Sequence, residues 1–134
     1  MKKIYLFDTS AILTFFLNED GADEVANLLK KSSISEVDIY ASFMSYYEIF
    51  YRMWKNHNYN VAQKIYNDLV KLPIEKAGYE KAFNKAVEIK AKNNLSVVDS
   101  WVAATAFLLK AILVHKDPEF EQLPYIEQLI LPYK

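Results

Sequence analysis

The 134 residues suffice for one domain with a real core, and 52% hydrophobic content with two Gly and four Pro argues for compaction rather than disorder. The chain has no cysteine, which excludes disulfides, thiolate metal ligands and cysteine nucleophiles. The net charge of −1 neither marks nor excludes a nucleic-acid binder: with four acids reserved for a cation, 16 basic residues face 13 acidic ones.

Ile4-Tyr5-Leu6-Phe7 is a short apolar, β-prone run of the kind buried on both faces of a sheet. Thr9 and Ser10 offer N-caps for a helix to about Leu17. Asp20-Gly21 breaks the chain, and Asp20 or Asp23 can start a second helix with Val25, Ala26, Leu28 and Leu29 at helical spacing. Ile39-Tyr40-Ala41 reads as a strand, followed by helices over about 44–56 and 59–70. The second of these presents Ala62, Ile65, Tyr66 and Leu69 on one face. Leu72-Pro73-Ile74 is a short strand candidate. A helix over about 79–92 is expected to turn Tyr79, Phe83, Ala86 and Val87 inward and Lys81, Lys85, Lys90 and Lys92 to solvent. From Ser96 to about Leu109 runs a helix apolar around most of its circumference, which suits the middle of a domain. Ile112-Leu113-Val114 and Leu129-Ile130-Leu131 are further strands. Strands alternating with helices predict an α/β fold, a mostly parallel sheet of four or five short strands flanked by helices. With no repeat or linker, one domain over 1–134 is expected.

No stretch reaches the roughly 18 consecutive apolar residues of a membrane span. Asp8 cuts the signal-like opening short, so a cytoplasmic protein is expected.

Four acids stand where acids need a reason. Ligands of open parallel sheets bind beyond the carboxyl ends of the strands, and Asp8 and Asp117 each follow a buried strand there. Asp99 lies in the first turn of an apolar helix, and Glu48 sits among Phe43, Met44, Tyr46, Tyr47, Ile49, Phe50 and Tyr51. A buried carboxylate is costly unless hydrogen-bonded, paired or bound to a cation. Converging carboxylates repel, a divalent cation relieves that repulsion, and hard oxygen donors favour Mg²⁺ or Mn²⁺. Structural alternatives stay open for each acid. Asp8 can cap the first helix, and Asp99 fits a capping box with Ser96. Glu48 and Arg52 are spaced for an i,i+4 ion pair, and Asp117-Pro118 is a common turn pair.

Four segments carry a family likeness: Lys3 to Ile12, ending Asp8-Thr9-Ser10-Ala11-Ile12; Tyr46 to Arg52 around Glu48; Leu95 to Ala106 around Asp99; and Val114-His115-Lys116-Asp117-Pro118-Glu119-Phe120. In this order and spacing they resemble the PIN-domain family, and particularly the VapC toxins of prokaryotic toxin–antitoxin pairs. The resemblance spans about residues 3 to 120 and implies a PIN-like fold. One departure stands out: many members carry Thr or Ser two residues before the last acid, where this chain has His115. A structural role is the expectation for His115, with orienting Asp117 or contacting phosphate as alternatives. For His57 a helix-capping role is expected.

The resemblance implies metal-dependent hydrolysis of RNA phosphodiester bonds by water activated at a cation. It assigns Asp8, Asp99 and Asp117 as ligands of Mg²⁺, with Mn²⁺ as substitute. Glu48 completes the shell, orients the water or acts as general base. Ser10, Arg52 and Lys116 are candidate substrate contacts. A homodimer and a VapB-like antitoxin are the implied partners, and the crowded large apolar residues Tyr46, Tyr47, Phe50, Tyr51, Met53 and Trp54 offer a partner surface, with a core role as the alternative for most of them. The competing readings are a solitary RNA-processing nuclease, an inactive PIN-like module binding RNA or protein, and a phosphotransfer domain with a strand-end Asp.

Overall fold

The computed structural model describes residues 2–134. Five strands form one sheet: β1 (Ile4–Phe7), β2 (Asp38–Ser42), β3 (Glu75–Ala77), β4 (Ile112–His115) and β5 (Gln128–Ile130). Their order is β3-β2-β1-β4-β5, and every neighbouring pair is parallel. The helices are α1 (Thr9–Phe16), α2 (Ala22–Ser33), α3 (Phe43–Asn56), α4 (Tyr59–Lys71), α5 (Phe83–Lys92) and α6 (Val97–Leu109), with a 3-10 turn over Pro118–Gln122. None is long and apolar enough to cross a membrane among the described residues.

Alternating side chains send the strands' apolar groups to two separate cores. Tyr5, Phe7, Ile39, Ala41 and Val114 face α1 to α4, whereas Leu6 and Leu113 face α5, α6 and the 3-10 turn. From β1 the chain first builds outward through β2 and β3, then returns to add β4 and β5 on the other side. The carboxyl ends of β1 and β4 therefore flank the point where strand order reverses, the usual ligand crevice of such sheets.

Several expectations need correction. The strand proposed over Leu72-Pro73-Ile74 is instead a tight turn, in which the Ile74 amide donates to the Leu72 carbonyl at 2.7 Å. Pro73 has no amide to give a ladder, and pairing with β2 begins at Glu75 opposite Tyr40. The helix expected from Tyr79 starts at Phe83. Tyr79, Phe83 and Val87 are about half exposed, and the buried stripe is Ala82, Ala86 and Ile89. Small residues on that stripe share a core with Ala103 and Ala106 of α6, so large side chains are displaced to the rim. Lys85 is only partly open to solvent because its ammonium lies 4.1 Å from the Phe107 ring centre and 2.7 Å from Glu88. α6 is buried through Val102–Ala106, but Val97, Phe107 and Leu108 are exposed at its ends.

The cap expected of Thr9 or Ser10 belongs to Asp8, and α2 starts without a side-chain cap at Gly21. Gly21 has φ +99°, where an L side chain is strained, and a Cβ there would lie 3.2 Å from Pro132. His57 does end α3, its amide donating to the Met53 carbonyl at 3.0 Å.

Candidate metal centre

β1 delivers Asp8 into the crevice and α1 begins on it. The Ser10 amide (3.0 Å) and hydroxyl (2.5 Å) both donate to Asp8 Oδ2. The cap reading is thus correct for one oxygen only. Asp8 Oδ1 is buried with no hydrogen-bond partner, and the whole residue is 3% exposed. Burial, reinforced by the charges of Glu48 and Asp117, raises the Asp8 pKa to about 6 against the pull of the Ser10 bonds. A carboxylate oxygen stripped of water and left unpaired is a cost the fold retains.

The other acids arrive from three further elements. Ser96 caps α6 through the Asp99 amide at 3.1 Å, which leaves the Asp99 carboxylate free of the cap. Burial drives the Asp99 pKa well up, followed by the charges of Asp8 and Asp117, a hydrogen bond with Asp117, and the charge of Glu48. The loop after β4 presents Asp117, whose Oδ1 accepts from the Glu119 amide at 3.0 Å to start the 3-10 turn. Glu48 rides half-buried on α3, and among the described residues no ion pair joins it to Arg52. The charges of Glu48 and Asp117 therefore reach Asp8, and those of Asp8, Asp117 and Glu48 reach Asp99.

A fifth acid was not anticipated. Carboxylate oxygens of Asp99, Asp117 and Glu119 lie within 4.8 Å of one another. Glu119 is exposed and sits in what reads as an ordinary turn. Its only sequence signal is the Asp-x-Glu spacing, which a tight turn folds onto one side.

His115 shows how this chain manages without a hydroxyl two residues before Asp117. The ring is fully buried, its Nδ1 accepts the Asp117 amide at 3.0 Å, and Nε2 pairs with Gln128 Oε1 at 2.8 Å. That pattern requires the proton on Nε2, and burial keeps the ring neutral by lowering its pKa. Gln128 in turn donates to the Phe120 and Leu123 carbonyls at 2.8 and 3.1 Å. His115 thus positions the Asp117 loop, and its burial speaks against phosphate contact. Gln128, from the edge strand β5, is a supporting residue the sequence did not mark.

Ser10 Oγ also accepts the Lys116 amide at 2.9 Å, tying the exit of β4 to the start of α1. Ser10 is therefore a link between Asp8 and the Asp117 loop rather than the expected helix cap. Lys116 is a different matter from its sequence promise. Its side chain is 4% exposed, and its ammonium sits 2.7 Å from the Asp20 carbonyl and 3.5 Å from Glu19. The group is committed inside the protein, which speaks against the expected contact with substrate. Arg52 lies half-buried in a cleft shared with Ser10 and Asp117.

The donor set consists of hard carboxylate oxygens, one of them buried and unpartnered, and burial, reinforced by neighbouring carboxylate charge, raises the pKa of Asp8 and Asp99. A divalent cation would supply what is missing, so these residues fit a hard divalent metal ion.

Comparison with curated proteins gives no match. Solved structures share the fold at low identity. The VapBC2 complex of Rickettsia felis bound to a promoter DNA fragment aligns with a TM-score of 0.79 at 17% identity, over 96% of this chain and 99% of the other. DNA-bound VapBC of Salmonella typhimurium aligns with a TM-score of 0.77 at 20% identity, over 97% and 98%. Mycobacterium tuberculosis VapC20, a sarcin-ricin loop cleaving toxin, aligns with a TM-score of 0.71 at 13% identity, over 96% and 99%. The PIN domain model matches residues 5–124, most of the chain and all five acids, and the protein accordingly belongs to the PIN-domain family.

Proposed function

We propose that the protein is a Mg²⁺- or Mn²⁺-dependent endoribonuclease acting as one PIN domain over residues 1–134, the toxin of a VapBC-type pair. One observation carries this reading: the buried, unpartnered Asp8 oxygen at the sheet's reversal point, facing the charges of Glu48 and Asp117. Asp8, Asp99 and Asp117 hold the cation, with Glu48 completing the set directly or through water. When bound, the cation neutralises charge on the phosphate and makes water more acidic. Ser10 fixes one Asp8 oxygen so that the other faces the crevice, and His115 fixes the Asp117 backbone. Water attacks phosphorus as the bond to the ribose oxygen breaks in line, Glu48 orients that water and accepts its proton, and the leaving oxygen takes a proton from solvent.

The VapBC complexes among the similar structures support a VapB-like antitoxin as partner. An exposed aromatic surface of α3 and α4 supports it too: Tyr47, Tyr51 and Trp54 border a groove of about 550 Å³ with Phe50 and Tyr66. A homodimer and a cytoplasmic location, where RNA and antitoxin are found, complete the reading. The test is cleavage of total RNA by purified protein. Cutting with Mg²⁺ or Mn²⁺ and none in EDTA is expected, with Asp8→Asn inactive. Cutting that survives EDTA, or an Asp8→Asn variant as fast as the parent, overturns the reading.

A further inference from the structure

Beside the acids lies a cleft of about 510 Å³, a size that accommodates a nucleotide. α1 supplies Ser10, Leu13 and Leu17, α3 supplies Arg52, Met53, Asn56 and His57, and the C-terminal segment supplies Tyr133 and Lys134. The cleft also shares Asp117 with the metal centre. It is a lateral extension of the site rather than a separate pocket.

The charges along its walls are unequal in their commitments. Lys116 and Lys134 both serve Glu19, at 3.5 and 2.7 Å, which lowers the Glu19 pKa. Arg52 has no acid partner among the described residues. On α3, Glu48, Arg52 and Asn56 follow at four-residue intervals and so share one face, each about 6 Å further along the axis. That row leads from the acids into the cleft. A planar guanidinium with its charge unmatched is suited to a phosphate oxygen pair. Leu13, Leu17 and Met53 offer apolar wall, and the Asn56 amide and His57 imidazole offer hydrogen-bonding groups, whereas the Tyr133 hydroxyl already donates to Glu121 at 2.7 Å.

Resting on the nuclease reading above, we infer that this cleft seats the nucleotide next to the scissile bond, with Arg52 binding its phosphate. The ligand class is single-stranded RNA, held by one charge-assisted contact. Lys116 is not part of it, since its ammonium is buried and taken.

The experiment measures binding of a short fluorescein-labelled oligoribonucleotide by anisotropy in EDTA, across a salt series. Arg52→Gln is expected to weaken binding about tenfold, the loss of one charged hydrogen bond. The slope of log affinity against log salt should fall by about 0.7, one phosphate contact on a single strand. Arg52→Lys should retain the slope, and Lys55→Gln, the same charge loss on the exposed part of α3, should match the parent. Mn²⁺-induced thermal stabilisation, read on the same proteins, should be unchanged in Arg52→Gln. Parent-like binding by Arg52→Gln, or an equal loss in Lys55→Gln, overturns the inference. So does a lost Mn²⁺ response in Arg52→Gln, since Arg52 would then act through the acids. Failure of the nuclease reading looks different: Asp8→Asn would still cut RNA while Arg52→Gln still lowered the salt slope.

Discussion

Replacing Asp8 by Asn removes the charge that is most expensive to bury and keeps the atoms that cap α1. Asn is as good an N-cap as Asp, so the Ser10 amide retains its acceptor. In the metal-free protein the Asp8 pKa rises from 3.8 to about 6 on folding. At 1.36 kcal/mol per pKa unit, that ionisation opposes folding by about 3 kcal/mol at pH 7. Allowing for relaxation of the loop, Asp8→Asn should be about 1–3 kcal/mol more stable than the parent in EDTA, a Tm gain of about 3–10 °C. The sign with pH follows from the raised value. A folded carboxyl that binds its proton more tightly loses stability as pH climbs from 3.8 through 6, so the advantage of Asn should vanish near pH 4. With Mn²⁺ at about 1,000 times its Kd, the parent gains about 4.1 kcal/mol and the order reverses. Differential scanning fluorimetry at pH 4, 5.5 and 7, with EDTA or Mn²⁺, reads all three effects. An Asp8→Asn protein less stable than the parent in EDTA at pH 7, or a pH-independent difference, would refute the reasoning.

Three other outcomes are expected. Mn²⁺ affinity should fall as pH drops through the raised range of Asp8 and Asp99, because protons must leave before the cation binds; calorimetry in buffers of different ionisation enthalpy will show the proton release. Glu119→Gln should weaken Mn²⁺ binding about tenfold while leaving urea stability within about 0.5 kcal/mol, since the residue is exposed. His115→Ala should cost about 2–4 kcal/mol in urea denaturation, because it opens a cavity and strands both the Asp117 amide and Gln128.

The strand ends were readable because an apolar run closing on an acid sets a charge against a buried sheet, a cost that calls for a compensating partner. Asp8 and Asp117 are where that logic placed them. Ser96 announced α6 through cap chemistry, a purely local signal. What local signals do not contain is the identity of the surface across the gap. α5 shows this: Tyr79, Phe83 and Val87 outweigh Ala82 and Ala86 in hydrophobicity, yet the alanine face of α6 selects the small residues. β3 failed for the same reason in reverse, since an edge strand of Glu, Lys and Ala shows little apolar pattern. Glu119 and Gln128 stayed hidden because their roles depend on a turn geometry and on a strand that pairs far from its own sequence neighbourhood. Lys116 misled through position alone, since adjacency to an acid says nothing about where a long side chain ends.

The Ser10 hydroxyl, shared between Asp8 and the Lys116 amide, has a consequence for when activity can arise. It joins positions 106 residues apart. A contact of that span closes a long loop, and such contacts form late in folding because their entropy must be met before they give anything back. Asp8 comes early in the chain and Asp117 near the far end, so neither half of the chain carries the full set of acids. On the proposed nuclease reading, a growing polypeptide is therefore inert until β4 has emerged and slotted beside β1. The site is completed only by the chain's own topology, a delay written into strand order.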